Sequence, residues 1–181
     1  ADNFTDDEIK RALEYAHVRG RKIYATLNIL LHNDEFESAL DYAFRLQELG
    51  IDAVIVQDMG FLSVLSRVFP DLRIHASTQM TIHNGDGVRA LNELGVKRVV
   101  VARELSFQDV REIGLECPEV ELEVFVHGAL CYSYSGQCLM SSVVGGRSGN
   151  RGRCAQPCRL FYNLLENQNS VCAGHLMSPA D

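Results

Sequence analysis

Along the first 126 positions the apolar residues alternate between helical spacing and short continuous runs, the pattern of repeated helix and parallel-strand units. Thr5 and Glu8 have capping-box spacing, Ile9, Leu13 and Ala16 follow at helical intervals, and Gly20 is placed to end that helix. KIYATLN at 22–28 reads as a strand. Asn33 or Asp34 is placed to cap a second helix carrying Phe36, Leu40, Ala43 and Leu46, which Gly50 ends before the apolar run AVIV at 53–56. A helix over 60–68 leads through Pro70 to RIHAS, and one bearing Val88, Leu91 and Leu94 leads to RVVVA at 98–102. Ser106 and Asp109 open a fifth helix, and LEVFV at 122–126 closes the series.

ELGIDAVIV at 48–56 and ELGVKRVVV at 93–101 repeat one unit: a helix end, a glycine stop and an apolar strand. Strands this apolar are expected to be covered on both faces, as in a parallel sheet wrapped by helices. Strand starts near 22, 53, 73, 98 and 122 suit a (β/α) barrel, and an open doubly wound sheet has similar spacing. Five strands are too few for an eight-stranded barrel, so the expected fold is α/β, a TIM-barrel-like but incomplete set of units over 1–128. A Cys/Gly/Arg-rich segment follows over 129–181, and the chain reads as a piece of a larger protein.

Parallel α/β folds place chemistry at the carboxyl ends of their strands. Those ends read Asn28; Gln57 and Asp58; His75, Ser77, Thr78 and Gln79; Arg103 and Glu104; and His127. Strand ends meet water in any fold, so capping and solvation account for part of the set. His75, Gln79, Glu104 and His127 are the candidate catalytic residues, chosen by strand-end position.

With 46% hydrophobic residues in 181 the chain has enough apolar material for a core. No apolar run reaches the length of a membrane span, and ADNFTDDEIK lacks the features of a signal peptide, so a cytoplasmic protein is expected. In that reducing setting its six cysteines point away from a disulfide framework. The net charge of −7 speaks against a protein that coats nucleic acid with its whole surface and leaves room for a local basic site. Between Glu123 and Glu166, however, there is no acidic residue, while Arg147, Arg151, Arg153 and Arg159 all fall there.

That gap also holds Cys131, Cys138, Cys154 and Cys158. Short C-x2-C knuckles, the strong zinc signal, are absent. Glycines 136, 145, 146, 149 and 152 make a loop able to wrap a cofactor. The four thiols suit an iron–sulfur cluster, with zinc as the alternative and a nucleophilic cysteine paired with His127 as a further one. Cys117 and Cys172, outside the dense segment, read as buried small hydrophobes. The arginines, with Arg103, are candidates for holding phosphate or offsetting thiolate charge.

EVFVHGALCYSYSGQCLMSS followed by GGRSGNRGRCAQPCR resembles the signature of the collagenase-like peptidase family U32. LHNDE, IHASTQMT, GVKRVVVARELS and LMSPAD extend the resemblance over essentially the whole chain. It implies an iron–sulfur protein, most similar to the branch that makes 5-hydroxycytidine in ribosomal RNA without oxygen, with a prephenate-derived donor. Carried over, Cys131, Cys138 and Cys154 are cluster ligands of a 4Fe–4S centre, and the fourth is Cys158 or a residue beyond LMSPAD. The family name implies the rival reading, a peptidase acting on protein, although neither H-E-x-x-H nor G-x-S-x-G occurs. A non-catalytic assembly partner with a structural metal is the third reading.

Overall fold

Four of the five helices of the repeat begin where a short polar side chain, Thr5, Asp58, Asn84 or Ser106, takes over a first free N–H group. In the computed structural model, which describes residues 3–128 and 131–178, Thr5 and Glu8 form a reciprocal capping box on α1 (Asp6–His17). The helix stops at His17, and Gly20, with φ +64°, shapes the turn beyond it instead of ending it. Strand β1 (Tyr24–Leu27) follows. Neither Asn33 nor Asp34 caps α2 (Phe36–Leu49): both lie in a 3₁₀ turn, where the Glu35 carboxylate reaches back to the His32 N–H at 2.9 Å. After β2 (Ala53–Val56), Asp58 caps α3 (Met59–Val68) through the Phe61 N–H and also accepts from the Leu31 N–H at 3.2 Å. Then come β3 (Ile74–Ala76), α4 (Gly85–Glu93), β4 (Arg98–Val100), α5 (Phe107–Glu116) and β5 (Glu121–Glu123).

All five strands are parallel, and their spatial order is their chain order, without the reversal of a doubly wound sheet. Val54, Val56, Ile74, Ala76, Val99 and Val101 share one core with Leu13, Leu46, Phe61, Leu62, Leu65, Val88, Leu91 and Ile113. Helices α1 to α5 thus all contribute to the same side of the sheet. The expectation of helices covering both faces is not met among the described residues. The other face carries, in register across the strands, Thr26, Ile55, His75, Arg98 and Glu121. Strand β5 is also shorter than LEVFV suggested, because its last ladder bond is from the Val101 N–H to the Glu123 carbonyl.

The chain continues over the carboxyl ends of these strands into α6 (Met140–Gly145) and a hairpin of β6 (Tyr162–Glu166) and β7 (Asn169–Gly174), for which no strand was predicted. Asn167 and Gln168 both have positive φ, as a tight two-residue hairpin turn requires. Among the described residues no helix is long and apolar enough to cross a membrane.

Asp58 ties the loop after β1 to the start of α3, so Asp58→Ala is expected to cost about 1–2 kcal/mol in urea unfolding, and Asp58→Asn distinctly less.

Candidate functional site

The carboxyl ends of β3 and β4 are joined by a short polar turn. Ser77, nearly inaccessible, accepts the Gln79 N–H and starts a 3₁₀ turn over Thr78–Met80, and the Thr78 hydroxyl donates to the Val101 carbonyl at 3.0 Å. The turn ends on Thr81 at φ +60°, a left-handed conformation rare for a β-branched residue and typical of strain held at functional sites. Its carbonyl lies 2.8 Å from His83 Nδ1. A carbonyl only accepts, so in the neutral ring Nδ1 carries the proton and Nε2 keeps a lone pair. That Nε2 is buried without a hydrogen-bond partner among the described residues, 3.7 Å from Glu104 Oε2.

The loop containing Cys131 and Cys138 is fixed onto this turn by Ser135, which is 1% exposed. Its N–H donates to Glu104 Oε1 at 2.9 Å, its hydroxyl lies 3.3 Å from the same oxygen, and Arg103 Nε donates to the hydroxyl at 3.0 Å. The Thr81 hydroxyl donates to the Ser135 carbonyl, and Gln137 Nε2 donates to Thr81 Oγ1 at 3.1 Å. Gly136 completes the fit: φ is +73°, and a Cβ there would stand 2.1 Å from the Gln79 carbonyl oxygen. Backbone approaches backbone so closely that only glycine is accommodated.

A second attachment lies at the β1 end. Arg151 donates from Nη1 to Glu35 Oε2 at 2.8 Å, from Nη2 to Glu35 Oε1, and from Nη1 to the Leu30 carbonyl at 3.0 Å. The Leu30 N–H donates in turn to the Asn150 carbonyl at 3.1 Å. Hydrogen bonds from Arg151, then from the His32 N–H, hold the Glu35 carboxyl at about 2. A cavity of about 790 Å³ runs along β1 from α1 and α2 to this ion pair, reaching Asn28 and Gly152.

Of the predicted residues, the structure brings Arg103 and Glu104 together around Ser135, with Gln79 contributing its backbone. His75 lies apart. It is the middle residue of β3, not its carboxyl end, and since Ile74 and Ala76 point into the core its ring faces the opposite side. There it meets Tyr24 at 4.7 Å between centroids, beside Arg98, which is paired with Glu121 and Glu123. Burial, reinforced by the Arg98 charge, pushes His75 down to about 4, so it is neutral at neutral pH. His127 is exposed, Arg151 is committed to Glu35, and Arg147 donates to the Arg153 carbonyl at 3.2 Å. Arg153 is exposed, and Arg159 is half-buried beside Cys158 in a 3₁₀ turn. Part of the HGALC motif and the PAD of LMSPAD lie outside the described residues.

Cys131, Cys138, Cys154 and Cys158 are all free thiols with at least partial exposure, and Cys154 Sγ accepts the Gln156 N–H at 3.3 Å. Their chemistry fits an iron–sulfur centre, four thiols in a segment without carboxylates, but the ligand set is not gathered. Among the described residues no group of three or more Cys, His, Asp or Glu side chains is placed to hold a metal ion. Cys117 is buried as expected, with its thiol 3.5 Å from the Gly85 carbonyl, whereas Cys172 is exposed on β7, contrary to the expectation of burial. His83 and Ser135 escaped the sequence reading. The signal for His83 was its place a few residues beyond a strand end, and nothing local marked Ser135.

A parallel α/β sheet with a cysteine-bearing loop docked on its strand ends defines the class, and comparison gives the family. The model for peptidase family U32 matches residues 1–181, and the chain belongs to that family. It is 42% identical over 176 residues to a 23S rRNA 5-hydroxycytidine synthase of Escherichia coli, covering 96% of this chain and 26% of that protein. A tRNA hydroxylation protein of Bacillus subtilis is 39% identical over 189 residues, covering 100% of this chain and 44% of that one. A Porphyromonas gingivalis collagenase is 30% identical, covering 100% and 46%. The chain thus spans less than half the length of these relatives. A solved U32 peptidase shares the fold at TM-score 0.50 and 22% identity, over 65% of this chain and 50% of that one.

Gly136→Ala is expected to undock the loop, seen as faster hydrogen exchange at the Ser135 amide with little change in global unfolding; unchanged exchange would refute the close fit. The Glu35 carboxyl is depressed in the fold, so its attachment is fully present above its ordinary value of 4.5 and is lost as pH falls through about 2. Urea midpoints measured across that range should show this acid dependence shrinking in Glu35→Gln.

Proposed function

We propose that this chain is part of an iron–sulfur enzyme that hydroxylates a pyrimidine in RNA, with ribosomal cytidine the favoured target, and that it acts in the cytoplasm. The five-stranded sheet is read as an arc of a TIM-barrel-like fold, supported by its sequential strand order and one-sided helices. The observation that carries the functional reading is the docking of a carboxylate-free, thiol- and arginine-bearing segment over the strand ends, through Ser135 on one side and Arg151 on the other. The names of the 42% and 39% identical relatives point to RNA as the substrate.

In this reading Cys131, Cys138 and Cys154 hold the cluster, with Cys158 the fourth candidate. The remaining residues are those of the site itself. His83 and Glu104 place an imidazole 3.7 Å from a carboxylate, a pair of the kind that serves in proton transfer. Arg103 and Arg153 offer positive charge for phosphate or a carboxylated donor such as a prephenate derivative. When bound, the cluster would supply electron transfer or a Lewis-acidic iron. The name of the collagenase relative supports the second reading, proteolysis.

The longest available form of the protein, purified without oxygen, is expected to contain iron and acid-labile sulfide and to lose both in Cys138→Ala and Cys154→Ala; zinc without iron would refute the cluster. Retention of iron in Cys158→Ala would move the fourth ligand elsewhere. Nucleoside analysis of cells lacking the gene should show a missing hydroxylated pyrimidine, restored by the wild-type gene and not by Cys154→Ala. Peptide cleavage that survives the cysteine substitutions would favour proteolysis.

A further inference from the structure

Tyr132 and Tyr134 stand on the docked loop with 74% and 61% of their surface exposed. Aromatic side chains normally bury their rings, and two left open on a flexible loop would be unremarkable. This loop is not free to collapse them inward, because Ser135, the residue after Tyr134, is inaccessible and held by Glu104, Arg103 and Thr81. The Tyr134 ring lies 5.9 Å from the His83 ring, tilted by 47°. Between the two tyrosines, the Ser133 carbonyl is 3.5 Å from Arg103 Nη2, which brings a guanidinium to the backbone joining them. From Val124 to Leu165 there is no carboxylate in the sequence; the carboxylate beneath the loop, Glu104, is taken up by the Ser135 N–H and lies 4.0 Å from Arg103 Nη2.

Rigidly presented aromatic faces beside positive charge are what unpaired nucleobases stack on, whereas duplex RNA keeps its bases inside the helix. We infer that Tyr132 and Tyr134 form a stacking platform for unpaired pyrimidines of an RNA substrate, with Tyr134 delivering one base beside His83 and Arg103 meeting the adjoining phosphate. The inference rests on the RNA reading above and adds the form in which the RNA is recognised, single-stranded and through base faces.

The test is fluorescence anisotropy of a single-stranded oligopyrimidine RNA with the longest available form of the protein and with Tyr→Ala, Tyr→Leu and Tyr→Phe at both positions. Loss of a stacked base should weaken binding about 5- to 150-fold in the Ala and Leu variants, while Phe, which keeps the ring face, binds nearly as wild type. The same sequence in a duplex should bind more weakly than the single strand. Protection of the Ser135 amide from exchange, unchanged in each variant, establishes that the loop is still docked; if Tyr134→Ala undocks it, Tyr132→Ala and the Leu-to-Phe contrast at 134 decide. Full binding by the Ala variants, or rescue by Leu as well as by Phe, overturns the inference. If the Ala variants bind RNA normally and lose peptide cleavage instead, the tyrosines serve a peptide, which overturns it too. Nucleoside analysis separates the two levels: hydroxylation by the wild type with unimpaired Ala variants sinks the platform alone, whereas a wild type that modifies no RNA sinks the parent reading.

Discussion

The loop that carries Cys131 and Cys138 has few apolar groups with which to hold itself down, and its position depends on one small polar side chain and the glycine after it. Ser135 satisfies a carboxylate, a guanidinium and the backbone of a strained turn at once, and Gly136 allows two main chains to meet where any side chain would intervene. Ser135 is inaccessible, so a lost partner would leave its own polar groups unpaired. Glu104 is therefore both a wall of the site and a fastening for the loop above it. The same carboxylate stands 3.7 Å from His83, so one side chain borders both the loop and the imidazole.

The sheet separates two polar regions. At the carboxyl ends lie Thr81, His83, Arg103, Glu104 and the docked loop. On the open face nearer the amino ends lie His75, Tyr24, Arg98 and Glu121, close to Lys22, Arg73 and Asp52 around a small cavity. Arg98 meets Glu121 and Glu123 and stacks over Tyr24 at 5.2 Å, so this second region is largely occupied by its own partners. His75 belongs to it, which explains why a histidine at the centre of an apolar strand does not reach the loop.

Local signals were legible in the chain and long-range ones were not. The capping pairs Thr5–Glu8 and Ser106–Asp109 lie three residues apart, so their chemistry is written in adjacent letters, and both form. Strand positions followed from continuous apolar runs, and the strand-end rule reached Arg103 and Glu104. The same rule misplaced His75 because it ignored side-chain alternation: Ile74 and Ala76 facing the core force the residue between them to the other face. The Glu35 capture of Arg151 joins residues 116 positions apart, and the Ser135 contacts with Glu104 span 31, distances over which no local pattern informs. Asn33 and Asp34 looked like caps, but Glu35 could reach farther back. The cysteines were found by density in the sequence, and density does not determine how their sulfurs are arranged in space.

Fastening the cysteine-bearing segment at Ser135 and again at Arg151 has a consequence for assembly. Sulfurs on an unrestrained chain would have to find one another against the full entropy of loop closure, which grows only slowly with length but is lost in one step. Here Cys138 lies between the two fastenings and Cys154 just beyond the second, so much of that entropy is surrendered when the protein folds, before any ion arrives. Under the proposed cluster reading, the thiols would meet at a raised effective concentration, and capture of a metal would be a local rearrangement around α6 instead of a folding event.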